Sequence, residues 1–208
     1  MSDASESPLR VGVLFSARTD LLSALSELAQ SDPAVGLVAA ASDREPIEAV
    51  PAFSGPLRAF PERWYGDRIT RDLAIAEWFR SQGVGLVVTA GWLWLLTSEF
   101  LVFFPNRVVN VHPTLLPAFP GRHSVEAAVA YGVKVHGVTV HLVDEGIDTG
   151  PILAQAAYHV PEPRTATAVR AALAPLERQL LRDVVHAFAH RRVGFDSTRD
   201  RWTIAGAP

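Results

Sequence analysis

The chain has 208 residues, 49% of them hydrophobic, enough to bury one core and in keeping with a single domain. A formal net charge of -3 and a pI near 6.2 leave no broad basic field, so neither nucleic acid nor an acidic membrane surface is an expected partner. There is no Cys, which removes disulfides, thiol nucleophiles and cysteine-ligated metals, and with no His-Glu-x-x-His spacing no metal is expected. Residues 1–9 open with a small, polar, acidic stretch without the basic start and apolar core of a secretory signal, and are expected to be a disordered leader of a cytoplasmic protein. The most apolar run, Leu86 to Leu96, is about half the roughly 20 residues a membrane helix needs.

In chain order, Arg10 to Phe15 reads as a strand, and Leu21 to Leu28 as a helix that Thr19 or Asp20 would cap. Val35 to Ala41 is a second buried strand. Arg44 to Trp64 carries four prolines and little periodicity, and reads as an irregular connection. Arg68 to Phe79 has amphipathic helical spacing and leads through Gly83 into a third strand, Leu86 to Ala90. Ser98 is expected to cap a short helix reaching Phe104, and Arg107 to Val111 is the fourth strand. A helix from Ser124 is closed by Gly132, strands follow at Val135 to Val143 and Ile152 to Val160, and Asp144 to Gly150 is the loop between them. Thr165 to His190 reads as a long amphipathic helix that Pro175 should kink or split. The alternation predicts an α/β fold with a mostly parallel open sheet and helices on both faces. The folded unit is expected over residues 10–194, followed by a tail over 195–208.

Asn110 and His112 lie two apart at the end of a strand, so their side chains point the same way. An amide and an imidazole on one face suit a reaction through a charged tetrahedral intermediate, the amide steadying an oxyanion and the imidazole moving a proton. In an open α/β sheet, ligands bind at the carboxyl ends of the strands, where this pair sits.

Three blocks, VVTAGWLWLL (87–96), VNVHPTLLPAFPG (109–121) and HGVTVHLVDEGIDTGPILAQ (136–155), resemble the formyltransferases that use 10-formyltetrahydrofolate, most closely the phosphoribosylglycinamide (GAR) formyltransferases. The likeness runs from Arg10 to about Arg192 and implies the formyltransferase, Rossmann-like fold. It also implies an N-formyltransferase moving the formyl group of 10-formyltetrahydrofolate to a primary amine. The catalytic trio it implies is Asn110, His112 and Asp148. Asn110 and a protonated His112 would steady the oxyanion, while Asp148 would keep His112 charged and could hold a relaying water. His123, His136 and His141 are read as structural, with no carboxylate at the right spacing. The implied folate site uses Trp92, Leu93, Leu95, Leu96, Asn110 and the loop of Asp144, Glu145, Gly146, Ile147 and Asp148. Gly146 would allow close approach to the flat ring. Trp94 stands where many members carry Arg, so stacking would replace an ion pair, and Arg68 would take the folate carboxylate.

The acceptor end departs from the pattern. Where GAR formyltransferases have a glycine-rich turn for the substrate phosphate, this chain has Ser16-Ala17-Arg18-Thr19-Asp20-Leu21. A carboxylate at Asp20 would cap the helix or repel the anion, at about 4 kcal/mol for one like charge at roughly 4 Å and an effective dielectric of 20. Arg18 would offset this, and Glu177 matches a family acid beside the amine. The expected acceptor is therefore a small-molecule amine other than GAR, bound by Arg18, Thr19, Asp20, Leu21 and Glu177. Authentic GAR formyltransferase is the alternative, with a formyltetrahydrofolate hydrolase or a non-catalytic folate-binding relative behind it.

Overall fold

Alternation along the first strand sorts the interior into two cores. In β1 (Leu9–Phe15), Val11, Val13 and Phe15 enter one buried cluster and Leu14 the other. The computed structural model describes residues 7–16, 18–45, 47, 50, 53–159 and 165–206. Of the expectations above, residues 1–6 of the leader, Ala17 of the first turn, Pro46 and Pro51 of the proline-rich connection, Val160 of the last strand and 207–208 of the tail lie outside the described residues.

The sheet takes β2 (Val35–Ser42), β3 (Leu57–Ala59), β4 (Leu86–Ala90), β5 (Val108–His112), β6 (His136–Leu142) and β7 (Ile152–Tyr158) in the order β3-β2-β1-β4-β5-β6-β7. Pairs from β3 across to β5 are parallel, while β6 runs antiparallel to both β5 and β7. The α/β expectation holds. On one face, α1 (Thr19–Ser31), α4 (Ser124–Tyr131) and α5 (Ala166–Ala189) bury Leu21, Leu25, Val125, Leu173 and Leu181. On the other, α2 (Arg68–Ser81) and the short α3 (Ser98–Leu101) bury Ile75, Phe79 and Phe100. The strand order reverses beside β1, which opens a crevice at the carboxyl ends of β1 and β4.

Several local expectations are corrected. The connection over 44–64 holds β3, a three-residue parallel edge strand too short to show periodicity. Asp20 does not cap α1: the N-cap position is Arg18, with no capping side-chain bond, because the Asp20 carboxylate is turned to the Arg18 guanidinium. Thr97, not Ser98, caps α3, which ends at Leu101, short of Phe104. Pro175 neither splits α5 nor ends it. Its missing N–H falls on the exposed side, while Leu173, Glu177, Leu181 and Val184 hold the opposite side in the core. The C-terminal tail folds as a hairpin, β8 (Val193–Asp196) against β9 (Arg201–Ile204), with Phe195 edge-on to Trp202.

Candidate active site

Parallel and antiparallel registers put three polar side chains in one row, Thr89 on β4 beside Asn110 on β5 beside His141 on β6. Thr89 donates its hydroxyl to Asn110 Oδ1 at 2.7 Å, which fixes the amide and turns Nδ2 away from β4. His141 donates from Nδ1 to the Leu142 carbonyl at 2.8 Å, so its Nε2 is the acceptor that Asn110 Nδ2 meets at 3.1 Å. Asp148 Oδ1 lies 3.4 Å from the same amide and 3.5 Å from His141 Nε2. His141, read from sequence as structural and without a carboxylate, therefore belongs to the constellation.

His112 is buried on the Asn110 side of β5, with Nε2 donating to the Phe119 carbonyl at 3.0 Å and Nδ1 3.2 Å from Asp148 Oδ2. Phe119 and Asp148 both have left-handed backbone, φ 54°, though neither is Gly. Such a conformation costs roughly 1 to 2 kcal/mol per residue and persists where surrounding bonds over-determine it. Here the Gly121 N–H donates to Asp148 Oδ2 at 2.8 Å, and the Thr114 hydroxyl reaches the carbonyls of Ala118 and Phe119. The left-handed turns aim a carbonyl and a carboxylate at opposite edges of one imidazole.

Burial works against the expectation that Asp148 keeps His112 charged. Burial pulls the His112 imidazole below its usual range, and the opposing pull of the Asp148 carboxylate and the Phe119 carbonyl does not restore it. Desolvation pushes Asp148 up, but the neighbouring His141 and His112 imidazoles and the Gly121 N–H outweigh it and hold the carboxyl below its ordinary range. An ionised Asp148 beside a neutral His112 is a pair ready to accept one proton.

These groups open into a cleft of about 410 Å³ at the crevice beside β1 and β4. Trp92 to Leu96 form one wall, Val143, Asp144, Gly146 and Ile147 another, and Arg18, Leu21 and Glu177 the far end. The match to formyl transferases, a family found by sequence, spans residues 9–185. The chain belongs to the formyl transferase family. It is 41% identical over 191 residues to the phosphoribosylglycinamide formyltransferase of Mycobacterium tuberculosis, covering 88% of this chain and 86% of that one. Its fold matches glycinamide ribonucleotide transformylase 1 from Symbiobacterium toebii with a TM-score of 0.89 at 33% identity, over 96% and 95% of the two chains. Formyltetrahydrofolate deformylase from Burkholderia mallei matches with a TM-score of 0.80 at 26% identity, over 98% of this chain and 72% of that chain. The protein is a formyltransferase of the GAR formyltransferase type.

Within this formyltransferase the three expected catalytic side chains meet, and most of the expected folate wall lines the cleft. Two residues do not. Arg68 is exposed at the first turn of α2, where Asp67 caps the helix, and Glu145 is exposed outside the cleft. The arginine that reaches this wall is Arg71, one turn further, fully buried with its guanidinium 5.5 Å from the Trp92 ring and 4.9 Å from Trp94. Arg71 pairs with Asp72 at 3.0 Å, and Asp72 accepts the Thr97 N–H at 2.9 Å, which ties the wall to the start of α3. Trp94 donates its indole N–H to Asp43 at 2.7 Å, and the cation over its ring is the protein's own Arg71. Gly146 is required by its own loop. A Cβ there would run into the Thr149 side chain, which bonds Asp144 at 2.7 Å.

At the acceptor end, Arg18, Leu21 and Glu177 face the cleft, whereas Thr19 and Asp20 do not line it. Asp20 acts on Arg18 instead, through a bidentate pair at 2.8 Å for each bond. Buried Glu177 takes the same guanidinium at 2.7 Å, and Arg178 lies 3.9 Å from Asp20. Both partners raise Arg18 further above its usual range, and Arg18 lowers Asp20. Gly91, with φ +66° at the end of β4, leaves the space through which the Arg18 side chain passes. The expected offset of Asp20 by Arg18 is seen directly: the two pair, within a cluster that also includes Glu177.

Proposed function

We propose that the protein transfers the formyl group of 10-formyltetrahydrofolate to a primary amine that carries no phosphate. The formyl-transfer reading rests on one observation, the convergence of Asn110, His112 and Asp148 at the base of the cleft. Asn110 Nδ2, oriented by Thr89, gives up its long 3.4 Å contact with Asp148 and donates to the oxygen of the formyl group as charge builds on it. Neutral His112 and ionised Asp148 together take the proton that the attacking amine loses, and return it to the departing nitrogen. The apolar wall of Trp92 to Leu96 fits a flat pterin and keeps water from the reacting carbon.

The acceptor reading rests on the turn before α1. Its one cleft-lining guanidinium is already bonded to two carboxylates, so a phosphate dianion would have to displace Asp20 or Glu177 to reach it. An amine without phosphate leaves the cluster intact and can donate an N–H to the Glu177 carboxylate while its lone pair faces the formyl carbon. GAR is the second reading, favoured by the 41% identity to a GAR formyltransferase and by the absence of a side-chain cap at the N-terminus of α1, which leaves N–H groups for an anion. One assay tests both. The protein is given 10-formyltetrahydrofolate with GAR, with a panel of phosphate-free primary amines, or alone, and tetrahydrofolate release is followed. Turnover with a phosphate-free amine and little with GAR is expected. Efficient turnover with GAR would reinstate the second reading, and formate release without any amine would point to hydrolysis.

A further inference from the structure

We propose that Asp32, His186 and His190 form a binding site for a zinc-class divalent ion, which clips the end of α1 to the end of α5. His186 lies on the last turn of α5 and His190, four positions on, is its C-cap residue, so both imidazoles stand on one face, with ring centroids 4.2 Å apart. Asp32 is the C-cap residue of α1, and its Oδ1 is fixed by the Ala34 N–H at 2.9 Å. The other oxygen, Oδ2, lies 2.7 Å from His186 Nδ1 and 3.1 Å from His190 Nε2. All three ligand atoms fall within 4.8 Å of one another. Around a tetrahedral ion with bonds of about 2.0 to 2.1 Å, ligand atoms stand roughly 3.3 Å apart, so small side-chain rotations complete the geometry.

The electrostatics point the same way. α1 ends at Ser31 and α5 at Ala189, so the negative ends of two helix dipoles converge where the ion would sit. Two imidazoles and one carboxylate are a borderline donor set, suited to zinc and poorly suited to magnesium or calcium, which take oxygen ligands. The Asp32 side chain is 12% exposed and the histidines 42% and 43%, which leaves a face for a water as fourth ligand. One turn earlier, Arg182 and Glu27 already bridge α5 to α1 at 3.4 Å. The ion would add a stronger cross-link between the helix that follows the acceptor turn and the helix that carries Glu177. The His-x-x-x-His spacing was visible in the chain, but its carboxylate lies 154 positions away and only the fold supplies it.

Zinc chloride titrated into the whole protein by calorimetry at pH 7.5 tests the site, with thermal unfolding as a second readout. One ion per chain and a rise in Tm are expected for the wild type, and for His112→Ala, which separates this site from the histidine in the cleft. In His190→Ala, His186→Ala and Asp32→Asn, affinity should fall by at least about tenfold, the scale on which even supporting residues of metal sites act, and the Tm response should vanish. His190→Ala removes an exposed side chain at a helix end, so a folded variant is expected. Wild-type affinity in the His186 and His190 variants would overturn the proposal, as would the absence of saturable binding to the wild type.

Discussion

The two ends of the cleft are built on different physical principles. At the catalytic base, position is set by strand register: Thr89, Asn110 and His141 are neighbours because β4, β5 and β6 pair, and backbone N–H and C=O groups of Gly121 and Phe119 complete the contacts. At the acceptor end, position is set by side-chain charge, with Arg18, Asp20 and Glu177 holding one another. A site made from register changes only if the sheet changes, whereas one made from ion pairs changes with single substitutions. On the proposed function, the reaction is carried by the fold and the choice of acceptor by a handful of side chains.

The largest effect is expected at the register-built end. His112→Ala should lower formyl transfer by about 10²- to 10⁴-fold, the range for losing a positioned acid or base, with the far-ultraviolet circular dichroism unchanged. Asp148→Asn should act similarly, because it removes the charge that receives the proton. Activity within a few-fold of wild type in either variant would break the assignment of the base of the cleft.

Next in size is the wall. Arg71→Met should cost about 3 to 5 kcal/mol of unfolding free energy, because it leaves the buried Asp72 carboxylate without its cation. The double variant Arg71→Met, Asp72→Asn should recover most of that loss. A single variant that loses less than about 1 kcal/mol in urea titration would show that the pair does not support the wall.

At the charge-built end the expected change is smaller and falls on one substrate. Asp20→Asn loosens Arg18, and should tighten inorganic phosphate or GAR by about tenfold, equivalent to about 1.4 kcal/mol. The KM for the folate donor should stay where it is. A change in donor KM with no change in anion affinity would erase the distinction between the two ends.

How much of this was legible in the sequence follows the same division. The longer strands, the long helices and the Asn110, His112 and Asp148 trio were readable because apolar periodicity is local and the motif blocks are continuous. His141 was not, since its partnership with Asn110 is a register across an antiparallel pair that nothing within β6 reports. Arg71 was passed over for Arg68 because both lie on one helix and only packing shows which of them turns inward. Asp20 was read as a cap from its type and position, but a guanidinium two residues away outcompetes backbone N–H groups for its oxygens. The hairpin of β8 and β9 was missed because each strand is four residues long, too short for a period to show.

The smallest effect, and the one that sharpens the base of the cleft most, is in the pH dependence of stability. His112 has its folded pKa below the ordinary value of 6.5, so as pH falls through 6.5 the unfolded chain takes up that proton before the folded one does. Stability should drop across the interval from 6.5 down to the folded value, and level off below it as far as this residue is concerned. Asp148 acts in a separate window. Its folded pKa lies below 3.8, so its contribution is complete above 3.8 and is lost only as pH falls further toward the folded value. His112→Asn should therefore flatten the slope of Tm against pH just below 6.5 while leaving the steep acid limb below 3.8 in place. If instead the wild type gains stability relative to His112→Asn on acidification from 6.5, Asp148 has prevailed over burial and His112 enters the reaction already charged. The proton from the amine would then have to pass to Asp148 alone, and Asn110 would share the oxyanion with an imidazolium.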